Sequence, residues 1–298
     1  MLVDISNPTP STLDELVAGL GGKVIDDFSK CAVQGAQHAL ADAANPLRLN
    51  FFSTAMRILF EHMMDTLAPV EQVKQSSWFK SERVDGHATR WQRVVFAIQG
   101  GFSDAFVREQ LKVDPQPLRK RLLGAVDELS KHVHGREKTI ITGRGAQDAA
   151  ARATVTAMAA FLDVIHDCRA AILDPIAEAL DDAAVDALAT DSLVEVDELA
   201  SHFSLEEVYV DRTVVHAIGA DGITYRATGS VSVILQWGSN SDLRRGDGAE
   251  LGQSFPFFCD IEVPLDEPWE LGLAEVTCGV DTSSWRDAMR PDEWDEMT

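Results

Sequence analysis

The feature that most constrains the fold is a change in hydrophobic periodicity about two-thirds of the way along the chain. Before it, apolar residues such as Phe52 and Met56 recur at spacings of three and four, which is typical of the buried face of a helix. After it, apolar and polar residues alternate over residues 223–237, which is typical of a half-buried strand. We therefore predict an α+β protein, with an all-α helical bundle over residues 1–190 and a mainly antiparallel β domain with an acidic tail over residues 191–298.

Charge is unevenly distributed along the chain. The protein has a formal net charge of -22, yet residues 45–144 contain 16 Lys and Arg against 11 Asp and Glu, which is +5. The remainder holds 10 basic and 37 acidic residues. Because the surface as a whole repels polyanions, nucleic-acid binding must be local and sensitive to salt. We expect such binding in the basic segment, residues 45–144.

Cysteine usage and hydropathy favour a cytoplasmic protein. The four cysteines (Cys31, Cys168, Cys259 and Cys278) form no Cys-x-x-Cys pair and match no zinc spacing, which predicts buried, reduced thiols. The N-terminus lacks the pattern of a signal peptide, and no apolar run reaches the roughly 18 residues of a membrane span. We expect neither a membrane contact nor a cofactor.

Arg57 and His62 form the first candidate catalytic pair. A histidine can move protons near neutral pH, and an arginine can hold a phosphate with two hydrogen bonds. The spacing resembles the Arg-x4-6-His motif of HEPN-type ribonucleases, which implies a HEPN-like helical bundle, a metal-independent reaction and a homodimer. However, a helix turns by about 500° over five residues, so the two side chains diverge by about 140°. The alternative is an ion-pair ladder of Arg57, Glu61 and Asp65.

A second cluster lies in residues 131–139, just past the predicted end of a helix, where the helix dipole favours cations. We predict that His134 and Arg136 are catalytic and that Lys131 and His132 bind substrate. The alternatives are a solvated basic turn that satisfies the last helix carbonyls and a zinc site, for which His132 and His134 lack partners at ligand spacing.

Arg90 and Arg93 are predicted to bind substrate phosphates, because they share one helix face beside Trp91. The alternative is a surface helix that Trp91 anchors to the core.

The Gly- and Asp-rich loop over residues 238–250 is a candidate cation site. Asp242, Asp247 and Glu250 have the carboxylates that hard cations prefer, which would suit a metal-dependent nuclease. The alternative is a hairpin-type loop in which Gly and Asp satisfy turn geometry.

Several of these segments resemble a bacterial family, the predicted pPIWI-associating nucleases. The similarity spans most of residues 45–285. It implies a role in bacterial defence against phage or plasmids, near Argonaute-type genes. The similar segments include Asn50-Phe51-Phe52 through Arg57 to His62, the Arg90 to Arg93 helix, the Ile98-Gln99-Gly100-Gly101 turn, the Lys131 to Thr139 segment, Gly229-Ser-Val-Ser-Val and Ser254-Phe255-Pro256-Phe257.

Together these patterns predict a nuclease that cleaves RNA, in preference to DNA, without a metal and as a homodimer. It would act in anti-phage or anti-plasmid defence with a partner protein of the defence system. The alternative is a non-catalytic module that senses nucleic acid or docks a protein.

Overall fold

The computed structural model describes residues 12–137, 140–190 and 193–288. The chain divides into two compact units, Met1–Cys168 (unit 1) and Arg169–Thr298 (unit 2). The predicted α+β class is confirmed, because a helical region is followed by a four-stranded antiparallel sheet. Lys138, Thr139 and the end of the predicted acidic tail, residues 289–298, lie outside the described residues.

Unit 1 is helical, and its helices begin where capping residues predict. The side chain of Thr12 caps the first helix, and that of Thr89 caps the fifth, each as part of a capping box. The last helix of the unit continues into unit 2. The helices are α1 Leu13–Gly21, α2 Asp27–Ala41, α3 Arg48–Leu67, α4 Val70–Gln75, α5 Arg90–Gln99, α6 Asp104–Glu109, α7 Gln116–Val133 and α8 Arg144–Leu173.

Helix α3 is the centre of unit 1. It packs against α2, α5 and α7, and its predicted apolar stripe is buried, with Phe52, Met56 and Leu59 fully enclosed. Helix α5 is also a core helix, because its residues from Val94 to Gln99 are all buried. Some of the polar side chains that these two helices leave at the surface line the candidate site described below.

Unit 2 is a sheet in the order β1-β2-β3-β4, covered on one face by two helices. Helix α9, which the sequence analysis placed in the first domain, contributes Ala184 and Leu188 to the core of this unit. The first strand is continuous, although three register shifts interrupt its pairing with the second. The elements are α9 Ala177–Thr190, α10 Val194–Asp197, β1 His202–Ile218, β2 Gly222–Trp237, α11 Asn240–Arg245, β3 Ala249–Pro264, β4 Glu275–Val280 and α12 Ser283–Ala288.

The reduced state predicted for all four cysteines is wrong for two of them. Cys259 on β3 and Cys278 on β4 are direct cross-strand partners with their Cα atoms 4.1 Å apart, and they form a disulfide. Cys31 and Cys168 are free thiols. The strand register that brings the first two together cannot be read from cysteine spacing. Among the described residues, no helix combines the length and the apolar character needed to cross a membrane.

Candidate functional site

Helices α3 and α7 and the start of α5 enclose a cavity of about 410 Å³ in unit 1, which we call the arginine cavity. It brings together three of the eight site residues that the sequence predicts, Arg57, Arg90 and Arg93. Two acidic side chains share the cavity with them. The lining residues are Arg57, Phe60, Glu61, Met64, Asp65, Ala88, Arg90, Arg93, Val126 and Ser130.

Local helix geometry explains why these side chains meet. On α3, Arg57, Glu61 and Asp65 follow one another at four-residue spacing and so share a face. On α5, the Thr89 capping box starts the helix immediately before Arg90: the Thr89 hydroxyl accepts a hydrogen bond from the Gln92 backbone, and the Gln92 side chain accepts one from Thr89. The predicted common face of Arg90 and Arg93 is therefore the face that lines the cavity.

Each arginine of the cavity is paired with a carboxylate. Arg57 Nε donates to Glu61 Oε1 at 2.7 Å, as the predicted ladder requires. Asp65, the third member of the predicted ladder, is paired across helices instead, because Arg93 Nη2 donates to Asp65 Oδ1 at 2.8 Å. Arg90 Nη1 donates to an acidic residue of α7, Asp127, at 2.7 Å. The cavity is therefore lined by one ion pair within α3 and by two that join different helices.

These pairs are accessible to solvent and can exchange partners. The side chains of Arg57, Arg90 and Arg93 are 33%, 47% and 22% exposed. Solvent-exposed ion pairs contribute only about 0–1 kcal/mol to stability, whereas an arginine can form two parallel hydrogen bonds with a phosphate. A phosphate group could therefore replace a carboxylate here at little cost to the fold.

His62 does not line the cavity, although it follows Arg57 on the same helix. Its Nε2 lies 3.1 Å from Asp26 Oδ1 at the start of α2, and its ring packs against that of Phe28 at a centroid distance of 4.5 Å. Partial burial would raise the pKa of Asp26, but hydrogen bonds from Ser29 and the interaction with His62 outweigh this and lower it. The helix geometry that predicts diverging side chains for Arg57 and His62 agrees with these separate surroundings.

The second predicted cluster lies at the end of α7 and also lies outside the cavity lining. Lys131 Nζ donates to Glu128 Oε1 at 2.5 Å, and this hydrogen bond raises the pKa of Lys131. His132 is buried, and its carbonyl accepts from Asn50 Nδ2 at 2.6 Å. His134 and Arg136 are exposed in the turn after the helix. Lys138 and Thr139 lie outside the described residues.

The predicted cation site in residues 238–250 is mostly a helix with its capping residues. Ser239 caps α11, and the Asp242 carboxylate accepts from Ser239 and from Arg245. These hydrogen bonds, first that from the Ser239 hydroxyl, lower the pKa of Asp242. Among the described residues, no group of three or more His, Cys, Asp or Glu side chains is arranged to hold a metal ion. Ser239, Asp242 and Gly246 thus satisfy the two ends of a short helix, as the alternative of satisfied turn geometry expects.

A basic run at the start of α7 is not among the predicted site residues. Arg119, Lys120 and Arg121 are all exposed, and the Arg119 guanidinium carbon lies 5.3 Å from the ring centroid of Trp91. Three consecutive cations within the basic segment are the signal that could have identified them.

Comparison with protein families gives two matches that together cover most of the chain. Residues 22–158 and residues 165–286 each match a family model described as predicted pPIWI-associating nuclease. The first match contains the whole arginine cavity. No curated protein and no solved structure matches the chain.

Proposed function

Because the chain belongs to the predicted pPIWI-associating nucleases, we propose that it binds and cleaves RNA in the arginine cavity, without a metal. One observation carries this proposal. Three arginines from two helices converge on one cavity in a protein whose formal net charge is -22. Such a local concentration of guanidinium groups is what phosphate recognition requires on an otherwise anion-repelling surface.

Phosphate binding would exchange partners within the cavity. Arg57 and Arg90 each donate one hydrogen bond to a carboxylate, so a phosphodiester can replace Glu61 and Asp127 with a bidentate contact. Arg93 is held more firmly, because its Nε also donates to the Ala68 carbonyl at 3.1 Å. We assign Arg93 to positioning the phosphate and the other two arginines to stabilising the charge that develops on it.

Glu61 is the candidate general base. Once it is released from Arg57, its carboxylate would accept the proton of the ribose 2′-hydroxyl as that oxygen attacks the adjacent phosphorus. The bond to the 5′-oxygen then breaks, leaving a 2′,3′-cyclic phosphate, and the departing oxygen takes a proton from water. The 2′-hydroxyl is the reason for the proposed preference for RNA over DNA. The proton-transfer roles of His62, His134 and Arg136 stay predictions, as do the substrate contacts of Lys131 and His132.

The test is cleavage of an end-labelled single-stranded RNA in EDTA. Wild-type protein should release fragments with 2′,3′-cyclic ends, and Glu61→Gln should bind the RNA but cleave it at least about 100-fold more slowly. Glu71→Gln is the matched control, because Glu71 is exposed, pairs with Lys74 and does not line the cavity. Equal cleavage of the 2′-deoxy substrate, or cleavage only with Mg²⁺ or Mn²⁺, would refute this mechanism.

The second candidate is a non-catalytic module that senses nucleic acid or docks a protein. It is favoured by the absence of a histidine among the residues that line the cavity and by the carboxylate partner of each arginine. This alternative expects saturable, salt-dependent RNA binding without turnover in either EDTA or divalent cations.

We also propose a homodimer. Phe51 and Ile58 are one heptad apart on α3 and remain exposed, at 54% and 43%, which gives a surface on which to test it. Light scattering should show a dimer for the wild-type protein and a monomer for the Phe51→Ser/Ile58→Ser variant. A monomeric wild-type protein would remove this part of the proposal.

We further propose a cytoplasmic role in anti-phage or anti-plasmid defence alongside a partner protein; the family description, pPIWI-associating nuclease, supports the partner. Cells that express the wild-type chain with its neighbouring genes should form fewer plaques on phage challenge than cells that express Glu61→Gln. Equal plaque counts would show that the proposed cleavage by Glu61 does not contribute to defence.

A further inference from the structure

We infer that the nucleic-acid contact extends beyond the arginine cavity along α7 to Arg119 and Lys120, so that the protein binds a strand of several nucleotides. The inference rests on the proposed function, because it places the first phosphate contacts in the cavity. We call the surface formed by Arg119 and Lys120 the α7 track.

Helix periodicity places the α7 track in line with the cavity. A helix turns by about 100° per residue, so Arg119 lies on nearly the same face as the cavity residues Val126 and Ser130, seven and eleven positions later. Lys120 likewise lies seven positions before Asp127, on nearly the same face of α7, and Asp127 is the partner of Arg90. The cavity-lining face of α7 therefore continues towards its N-terminus as two cations.

The cations of the α7 track differ from those of the cavity in having no carboxylate partner. Within the described part of the chain, Lys120 forms no salt bridge or side-chain hydrogen bond, and the contact of Arg119 is with the Trp91 ring. Trp91 is itself buried, so the aromatic face acts as a fixed support for the guanidinium group rather than as a platform for a base. A phosphate that reaches the track meets cations without having to displace an anion.

Arg121 offers an internal control. It is exposed like its two neighbours and also forms no salt bridge with the described residues. Two positions after Arg119, however, it points about 200° away around the helix. Removing Arg121 therefore changes the net charge by the same amount as removing Arg119, but on the opposite face of α7.

Helix rise predicts the length of RNA that can engage both sites. Seven residues of α7 span about 10 Å, which corresponds to about three nucleotides at a helical spacing of ~3.4 Å per phosphate. A dinucleotide or trinucleotide can therefore occupy only the cavity, whereas a decanucleotide can also contact the α7 track.

The experiment measures binding of oligouridylates of two to twelve nucleotides to the full chain by fluorescence anisotropy, at several salt concentrations. Lys120→Ala and Arg119→Ala should each weaken binding of the decanucleotide about 5- to 20-fold and leave the trinucleotide unchanged. Each should also lower the salt slope by about 0.7. Arg121→Ala should match the wild-type protein at every length.

The possible outcomes separate the two proposals. Wild-type binding that does not depend on oligonucleotide length, or an equal effect of Arg119→Ala and Arg121→Ala, would overturn the α7 track while leaving the cavity intact. If no oligonucleotide binds the wild-type chain at all, the proposed function fails first. Loss of binding through misfolding is recognised by the circular dichroism spectrum, which should be that of the wild-type protein for each variant.

Discussion

Unit 1 and unit 2 differ most in charge. Residues 1–168 contain 19 Lys and Arg against 20 Asp and Glu, or -1, whereas residues 169–298 contain 7 against 28, or -21. All seven basic residues of unit 2 are arginines. Almost the whole negative charge of the protein therefore belongs to unit 2, which should repel nucleic acid, while the arginine cavity lies in the nearly neutral unit.

The two units also use arginine–carboxylate pairs in different ways. On the sheet of unit 2, Arg226 on β2 and Asp260 on β3 form a two-bond fork, with both distances 2.6 Å. In the cavity, Arg57 and Arg90 each make a single, more exposed contact. An arginine paired with a carboxylate can thus either stabilise the sheet or belong to a binding site, and the pairing alone does not distinguish the two. What distinguishes the cavity is the convergence of three such residues.

The largest expected effect tests whether the sheet is as rigid as its pairing indicates. Gly229 lies where β2 passes β1 so closely that a Cβ atom would be 1.9 Å from the Tyr209 carbonyl oxygen. We expect Gly229→Ala to lower the free energy of unfolding by about 3 kcal/mol, because the backbone must shift. Denaturant unfolding followed by circular dichroism measures this change.

Gly252→Ala is the matched control, because Gly252 is also a strand glycine but has no atom within 4 Å of the added methyl group. It should change the free energy of unfolding by no more than about 0.5 kcal/mol. Similar losses for both variants would show that the close approach of β1 and β2 does not limit the sheet.

The next largest effect is on RNA binding, and it tests whether the arginines of unit 1 contribute more than those of unit 2. The Arg57→Ala/Arg90→Ala variant should weaken RNA binding by about 100-fold, or ~2.7 kcal/mol, because each guanidinium loses a charge-assisted contact with phosphate. Its salt slope should fall by about 1.4. Filter binding or anisotropy measures both quantities.

The control for this prediction is Arg245→Ala in unit 2, where Arg245 is exposed and pairs with Asp242 just as the cavity arginines pair with their carboxylates. RNA affinity should be unchanged. Arg245→Ala removes one charge and the cavity variant removes two, so a free-energy loss from Arg245→Ala of half the size or more would mean that binding responds only to total charge, and the contrast between the units would disappear.

A smaller effect concerns the fork on the sheet and its dependence on pH. Hydrogen bonds from Arg226 hold the pKa of Asp260 below its usual value, although burial opposes this. A lowered carboxyl pKa stabilises the fold above the pKa of the unfolded chain, about 3.9, and this stabilisation is lost as pH falls through the lower folded value.

At pH 7, Asp260→Asn should therefore cost about 1–2 kcal/mol in the free energy of unfolding. The difference from wild type should be fully present at neutral pH and should shrink below about pH 4. Urea titrations at pH 7, 5 and 3 measure it. A difference that stays constant down to pH 3 would show that the ionised carboxylate is not what stabilises the fork.

Much of the fold could be predicted, because local chemistry determines it. Helix α5 begins at Arg90 and ends before Gly100, as expected from the predicted Arg90 to Arg93 helix and the Ile98 to Gly101 turn, since Thr89 caps it and Gly100, at a φ of 58°, ends it. The start of β3 was missed, because Ala249 and Glu250 belong to the predicted Gly- and Asp-rich loop over residues 238–250, yet their backbone pairs with β2. The Cys259–Cys278 disulfide was missed for the same reason, because strand register depends on pairing between distant segments.

The candidate site could be predicted only in part. The basic segment was located by charge counting, and three of its arginines do converge. Their partners Asp65 and Asp127 come from other helices, and helix packing cannot be read from the spacing within one helix. Charge alone could have marked Arg119 and Lys120 as part of a run of three cations, but their alignment with the cavity depends on how α7 packs.

The smallest expected effect tests whether RNA cleavage depends on the arginine cavity alone or also on His62 of the predicted Arg57–His62 motif. His62 contacts Asp26 and Phe28 and does not line the arginine cavity. We expect His62→Ala to leave the rate of RNA cleavage within about twofold of wild type and to cost no more than about 1 kcal/mol of stability, as for other exposed ion pairs. Initial rates in EDTA and a urea titration measure the two effects.

A loss of cleavage rate of 100-fold or more with unchanged RNA affinity would instead place His62 in the reaction. Since Arg57 and His62 diverge on one helix, that result would require a second protomer to complete the site, and the Phe51→Ser/Ile58→Ser variant should then lose cleavage as well.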